Sequence, residues 1–268
     1  MHDRLAARAF VKIPSLMDTD TKSLFLQAGK EKISLLFHGL AGSSYEVRGL
    51  AEFLFKEGIT VSAPTLSCHE SRSLEDLKNS DLDMWKSDAE QAFARTQGYR
   101  KIIIGGISNG ASLASYLALK HNPDGLVLIS PPVFPGRPIL QKLPAEKLAG
   151  WASRRFKYVP RFDHKMVMDW TLAGNLPRFK KLPSHFPYDA LRLARYVREN
   201  LSRITCPVLI IQPRHDNRVH PKGAEYLFRR IGSEDKKLIF GENSGHVILL
   251  DIDREMAFRE TAAFVKRL

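Results

Sequence analysis

Cysteine is almost absent: Cys68 and Cys206 are the only two in 268 residues. That leaves room for one disulfide at most and excludes a disulfide-built scaffold. Two lone cysteines in an unexported chain read as free thiols, so a cytoplasmic location is expected. Long apolar runs are missing too, and none approaches the ~20 residues of a membrane span. The opening MHDRLAARAFVKIPSLMD is broken by charges before a secretory apolar core can form, so no signal peptide is expected. The chain has no internal repeat, no low-complexity tract, no His-Glu-x-x-His and no zinc-finger or RNP-like motif. No metal, no cofactor and no nucleic-acid partner is therefore expected.

What is present fits a soluble globular protein: 44% hydrophobic and 26% charged residues, enough chain for one α/β domain with an insertion. The formal net charge is +12, and it is unevenly spread. Residues 131–206 hold fifteen Lys/Arg against five Asp/Glu, leaving only +2 for the rest of the chain. The plain reading is a solvated basic face; the sharper one is attraction to an anionic lipid surface or a charged acyl substrate.

Along the chain, apolar strand-like runs alternate with helical patterns. Residues 22–28 and 32–37 read as two strands joined by a Gly29-Lys30 hairpin. Helices are expected over 45–56 and 83–97, with a short strand at 59–63 and a polar surface stretch over 67–81. Residues 101–107 lead as a strand into Gly106-Ile107-Ser108-Asn109-Gly110 and a helix; 125–130 is another apolar strand. From 133 to 205 the pattern changes. Prolines at 135, 138, 144, 160, 177, 183 and 187 chop short helical pieces among frequent aromatics such as Phe134, Trp151, Phe162 and Trp170. Strand and helix alternation resumes at 207–212 and closes with a helix over about 253–266. This order predicts an α/β fold: a mostly parallel sheet covered by helices on both faces, with chemistry at the carboxyl ends of its strands. The core is assigned to 1–132 and 206–268, and 133–205 to an inserted helical cap.

The strand–turn–helix around Ser108 has the Gly-x-Ser-x-Gly grammar of a nucleophile elbow. Its glycines are needed where a Cβ would collide with the neighbouring strand or helix. A serine hydroxyl needs a base within hydrogen-bond reach, and the base needs an orienting group. Among nine histidines, only His246 falls after the last strand and before the closing helix. Asp216, just past the preceding strand, is the expected acid. His215 and His220 are rival bases that flank this acid. Asp251 and Asp253 are rival acids better placed to start the last helix, where carboxylates favour the dipole. Oxyanion donors are expected from the N–H of Asn109, which follows the nucleophile, and of Leu40 in the loop after an early strand. His38 is expected to hold that loop rather than to move protons.

Together His38-Gly39-Leu40, Gly106-Ile-Ser-Asn-Gly110, the Asp216 loop and Ser244-Gly-His246 resemble the α/β-hydrolase fold family. The subgroup they resemble is the compact bacterial carboxylesterases and monoacylglycerol lipases. Asp83-Met-Trp85, Gly98-Tyr99 and the tail from Ser244 to Asp251 share that likeness. The resemblance implies Ser108 as nucleophile, His246 as general base and acid, Asp216 as its partner, and 133–205 as a cap. It also implies a small ester or lipid substrate, with Phe134, Trp151 and Trp170 as candidates to line an acyl pocket. Departures are Asn109 after the nucleophile, Gly110-Ala111 for the usual Gly-Gly, and Pro-Thr-Leu-Ser-Cys-His-Glu over 64–70. The expected activity is carboxylic ester hydrolysis. The alternatives are a lysophospholipase or acyl-thioesterase acting on anionic substrates, and a catalytically silent binding protein.

Overall fold

The computed structural model describes residues 21–71, 73–136, 144–161, 166–174, 176 and 179–268. The N-terminal segment with His2, and Pro138, Phe162, His164 and Pro177, lie outside the described residues. A seven-stranded sheet runs in the order β1-β3-β2-β4-β5-β8-β9. Its strands are β1 (Leu24–Leu26), β2 (Lys32–Phe37), β3 (Thr60–Ala63), β4 (Lys101–Ile107), β5 (Gly125–Ile129), β8 (Val208–Pro213) and β9 (Lys236–Gly241). Every pairing is parallel except β1 with β3.

The central strands are apolar along their length because both faces are covered. Alternate residues go to opposite sides, as the pleat requires. Leu35, Ile104, Leu128 and Ile210 join a core with α3 (Leu82–Ala94), α4 (Asn109–His121), α6 (His185–Glu199) and α7 (Lys222–Arg230). Leu36, Ile103, Val127 and Ile211 join a second core with α1 (Tyr45–Lys56) and α8 (Arg254–Arg267). The expected polar stretch carries one short helix, α2 (Leu74–Leu77). Asp81 caps α3 by accepting the Met84 N–H at 2.9 Å, and the fully buried Trp85 donates its indole N–H to Ser80 at 2.7 Å.

The expected hairpin is corrected. β1 is antiparallel, but its partner is β3, with Phe25 opposite Ser62, and not β2. The Gly29 turn is captured by Thr60 at the start of β3. The threonine hydroxyl donates to the Gly29 carbonyl at 2.7 Å and accepts the Ala28 and Gly29 N–H groups at 3.0 Å each. These bonds draw the chain across β3 to the sheet edge.

Between β5 and β8 the chain leaves the sheet. It forms α5 (Ala145–Arg155), the antiparallel pair β6 (Tyr158–Pro160) and β7 (Lys181–Pro183), and α6. α6 packs on α5 and on α4, and its Phe186 is fully buried edge-on to Trp85, centroids 5.1 Å apart. Among the described residues no helix is long and apolar enough to cross a membrane.

Candidate active site

Three loops at the carboxyl ends of β4, β8 and β9 meet. Ser108 follows β4 with φ 55° and ψ −121°, a conformation costly for a residue with a Cβ, and α4 starts at the next residue. The flanking glycines make the turn sterically feasible. A Cβ on Gly106 would lie 2.4 Å from the Gly110 backbone, and one on Gly110 would lie 2.2 Å from the Phe37 carbonyl.

The His246 ring lies between the other two side chains. Its Nδ1 is 2.7 Å from Asp216 Oδ2 and its Nε2 is 2.9 Å from Ser108 Oγ. The carboxylate holds the proton on Nδ1, which leaves Nε2 to accept from the serine hydroxyl. Asp216 is itself saturated: Oδ1 accepts the N–H groups of Arg218 (2.8 Å) and Val219 (3.0 Å), and Oδ2 also accepts Gln212 Nε2 at 3.1 Å. Both partners are withdrawn from water, the imidazole 6% and the carboxylate 0% exposed. The imidazole's backbone is held as well, because Ser130 donates its hydroxyl to the His246 carbonyl at 2.7 Å.

Of the two rival acids, Asp253 stands at the N-cap of α8, as expected for an acid that starts the last helix, whereas Asp251 does other work. Asp251 is buried and accepts the N–H groups of Gly245 (2.7 Å), Met168 (2.7 Å) and Asp169 (3.1 Å), clamping the histidine loop to the 166–169 segment. Asp253 precedes α8, but its carboxylate takes the N–H (2.7 Å) and the side-chain amide (3.2 Å) of Asn243, and makes no side-chain cap. Of the rival bases, His220 accepts the Lys222 N–H at 3.2 Å at the start of α7.

The loop after β2 abuts the nucleophile: a Cβ on Gly39 would sit 3.5 Å from Ser108 Cβ. His38, fully buried, donates Nδ1–H to the Gly39 carbonyl at 2.8 Å and accepts the Leu66 N–H at Nε2, 3.0 Å away. Burial and the adjacent His69 lower its pKa to about 3, so it is neutral and structural. The backbone N–H groups of Leu40 and Asn109 have no acceptor among the described residues, and the buried Asn109 Oδ1 is likewise without a partner there. Phe134, Trp151 and Trp170 do not converge. Phe134 lines a cavity of about 760 Å³ and meets Tyr226 at 5.2 Å; Trp151 is 58% exposed against Phe156; Trp170 packs beside the second core.

Both cysteines are free, and burial pushes the Cys206 thiol to about 12. Among the described residues no cluster of His, Cys, Asp or Glu could hold a metal ion. Sequence reasoning missed Gln212, Ser130, Glu46 and the clamping role of Asp251; these roles are identified by contacts alone.

The model of the Hydrolase_4 family, described as serine aminopeptidase, S33, matches residues 29–253. The chain belongs to this family. Among curated relatives, a Bacillus subtilis (strain 168) carboxylesterase is 26% identical over 253 residues, covering 94% of this chain and 99% of the relative. A thermostable monoacylglycerol lipase of Bacillus sp. (strain H-257) is 30% identical over 233 residues, covering 86% and 88%. Among solved structures, that of the study of the metagenome-derived lipolytic enzymes LipS and LipT superposes with a TM-score of 0.83 at 24% identity, covering 93% of this chain and 99% of that one. The Paleococcus ferrophilus monoacylglycerol lipase gives 0.76 at 17% identity, covering 91% and 97%. The fold of this Hydrolase_4 protein is thus the α/β-hydrolase fold.

Proposed function

We propose that this α/β hydrolase cleaves carboxylic esters through an acyl-enzyme, with Ser108 as nucleophile, His246 as general base then acid, and Asp216 as its orienting partner. The observation that carries this reading is the single imidazole bridging carboxylate and hydroxyl at 2.7 and 2.9 Å. As Ser108 Oγ attacks the carbonyl carbon, its proton passes to Nε2, and the buried Asp216 stabilises the imidazolium. The tetrahedral oxyanion is received by the N–H groups of Leu40 and Asn109. His246 then returns the proton to the departing alcohol, and water, activated by the same imidazole, releases the acid.

A monoacylglycerol or another medium-chain ester is the proposed substrate, a choice supported by the names of both curated relatives. Residues 133–205 are proposed to act as a cap over the site, and the protein to work in the cytoplasm. Peripheral contact with anionic membrane is proposed through the basic cap, where Leu148, Trp151 and Phe156 are exposed beside Lys147, Arg154 and Arg155.

The decisive experiment pairs fluorophosphonate labelling with turnover of p-nitrophenyl esters. The wild type should label on Ser108. Ser108→Ala should neither label nor turn over, while keeping the wild-type thermal midpoint. Full ester turnover by the purified, folded variant would rule out the mechanism.

A further inference from the structure

Glu46 is a buried carboxyl that the serine relay does not use. It stands in the first turn of α1, 5% exposed, where an acidic residue would ordinarily face water and favour the helix dipole. Its Oε2 instead accepts the Gly39 N–H at 2.7 Å. The carboxyl lies within the turn that follows β2. A Cβ on Gly39 would be 3.0 Å from Oε2, and one on Gly42 would be 2.6 Å from the carboxyl carbon and Oε1.

The adjoining peptide is held from other sides. The Gly39 carbonyl accepts both the His38 Nδ1–H (2.8 Å) and the Gly42 N–H (3.1 Å). That carbonyl and the Leu40 N–H belong to one planar peptide unit and point in opposite directions. Fixing Gly39 at its N–H and at its carbonyl therefore fixes where the Leu40 N–H points. From this geometry we propose that Glu46 is a positioning residue: its carboxyl holds the Gly39–Gly42 turn so that the Leu40 N–H is aimed at the oxyanion formed at Ser108.

This rests on the reading of Ser108 given above. Burial raises the proton affinity of the Glu46 carboxyl, opposed by the Gly39 N–H and by the charges of Arg161 and His246. The Gly39 N–H needs only an acceptor oxygen at this point, and a side-chain amide offers one as a carboxyl does. A neutral amide of the same shape should then substitute for it.

The test uses three variants of the full chain. Glu46→Gln keeps the acceptor and Glu46→Ala removes it. Gly42→Ala pushes the carboxyl away without altering Glu46; position 42 lacks a positive φ, so its backbone accepts alanine. On a p-nitrophenyl ester, Glu46→Ala and Gly42→Ala should lower kcat about 10- to 100-fold with KM within about 3-fold, and Glu46→Gln should stay within about 3-fold in both. The proposal is overturned if folded Glu46→Ala or Gly42→Ala keeps wild-type kcat, if the loss appears in KM, or if Glu46→Gln is as impaired as Glu46→Ala. Should Glu46→Ala fail to fold, Gly42→Ala decides. A wild type that neither labels with fluorophosphonate nor turns over would instead remove the Ser108 reading itself.

Discussion

Ser108, Asp216 and His246 could be picked out from the sequence because each sits at a strand end in a fixed order, and because glycine flanks the serine where a Cβ has no room. Glu46 and Asp251 could not. One reads as an ordinary acid in a helix's first turn, the other as an acid ahead of a helix; only tertiary contacts turn them inward. His38 was legible as the residue that holds its loop; its neutrality was not, because that comes from burial. Its folded pKa of about 3 lies below the ordinary 6.5, and His69 is lowered in the same sense by the same cause. Below pH 6.5 the unfolded chain takes up protons that the folded chain refuses, so stability is full above that value and is lost as pH falls. The loss for His38 alone should be on the order of a few kcal/mol. Glu46 has the opposite sign: its raised pKa stabilises the fold at low pH, and that contribution fades as pH rises above 4.5. Urea midpoints should therefore fall from pH 7 to pH 5, and more steeply in Glu46→Gln. A midpoint that is flat over this range would contradict neutral, buried imidazoles.

Most strands and helices of the core were legible as elements, because period-2 apolar runs and capped helical stretches are local properties. The pairing of β1 was not. It depends on the hydroxyl of Thr60, about thirty residues away from the turn it captures. The elements between β5 and β8 could be placed only as short helical pieces, since their prolines and aromatics give no clean period. Among them α5 has one buried residue, Gly150. Leu148, Trp151 and nearby Phe156 are 46%, 58% and 51% exposed amid basic side chains. A helix so arranged suits an interface with anionic lipid, each basic residue adding about 1 kcal/mol at low salt. Vesicles rich in phosphatidylglycerol should pull the protein down on sedimentation and shift tryptophan emission to the blue. Salt, or the pair Trp151→Ala and Phe156→Ala, should weaken this. Equal recovery with neutral phosphatidylcholine vesicles would argue for a merely solvated face.

At the scale of the whole molecule, the central strands pair in parallel through long crossovers, so most sheet contacts join residues far apart in the chain. Such topologies gather slowly, because loop closure must be met before the contacts form. On refolding from urea, ester turnover should return after the far-ultraviolet helical signal; simultaneous recovery would contradict this slow gathering of the sheet. The hydroxyl and the imidazole that meet are 138 residues apart, and the imidazole rides on a loop that Asp251 must close from its far side. A growing polypeptide thus carries Ser108 long before it carries the imidazole proposed to deprotonate it. Under the proposed mechanism, competence for acyl transfer therefore arrives in one step, when the histidine loop closes against Ser108, and not by degrees.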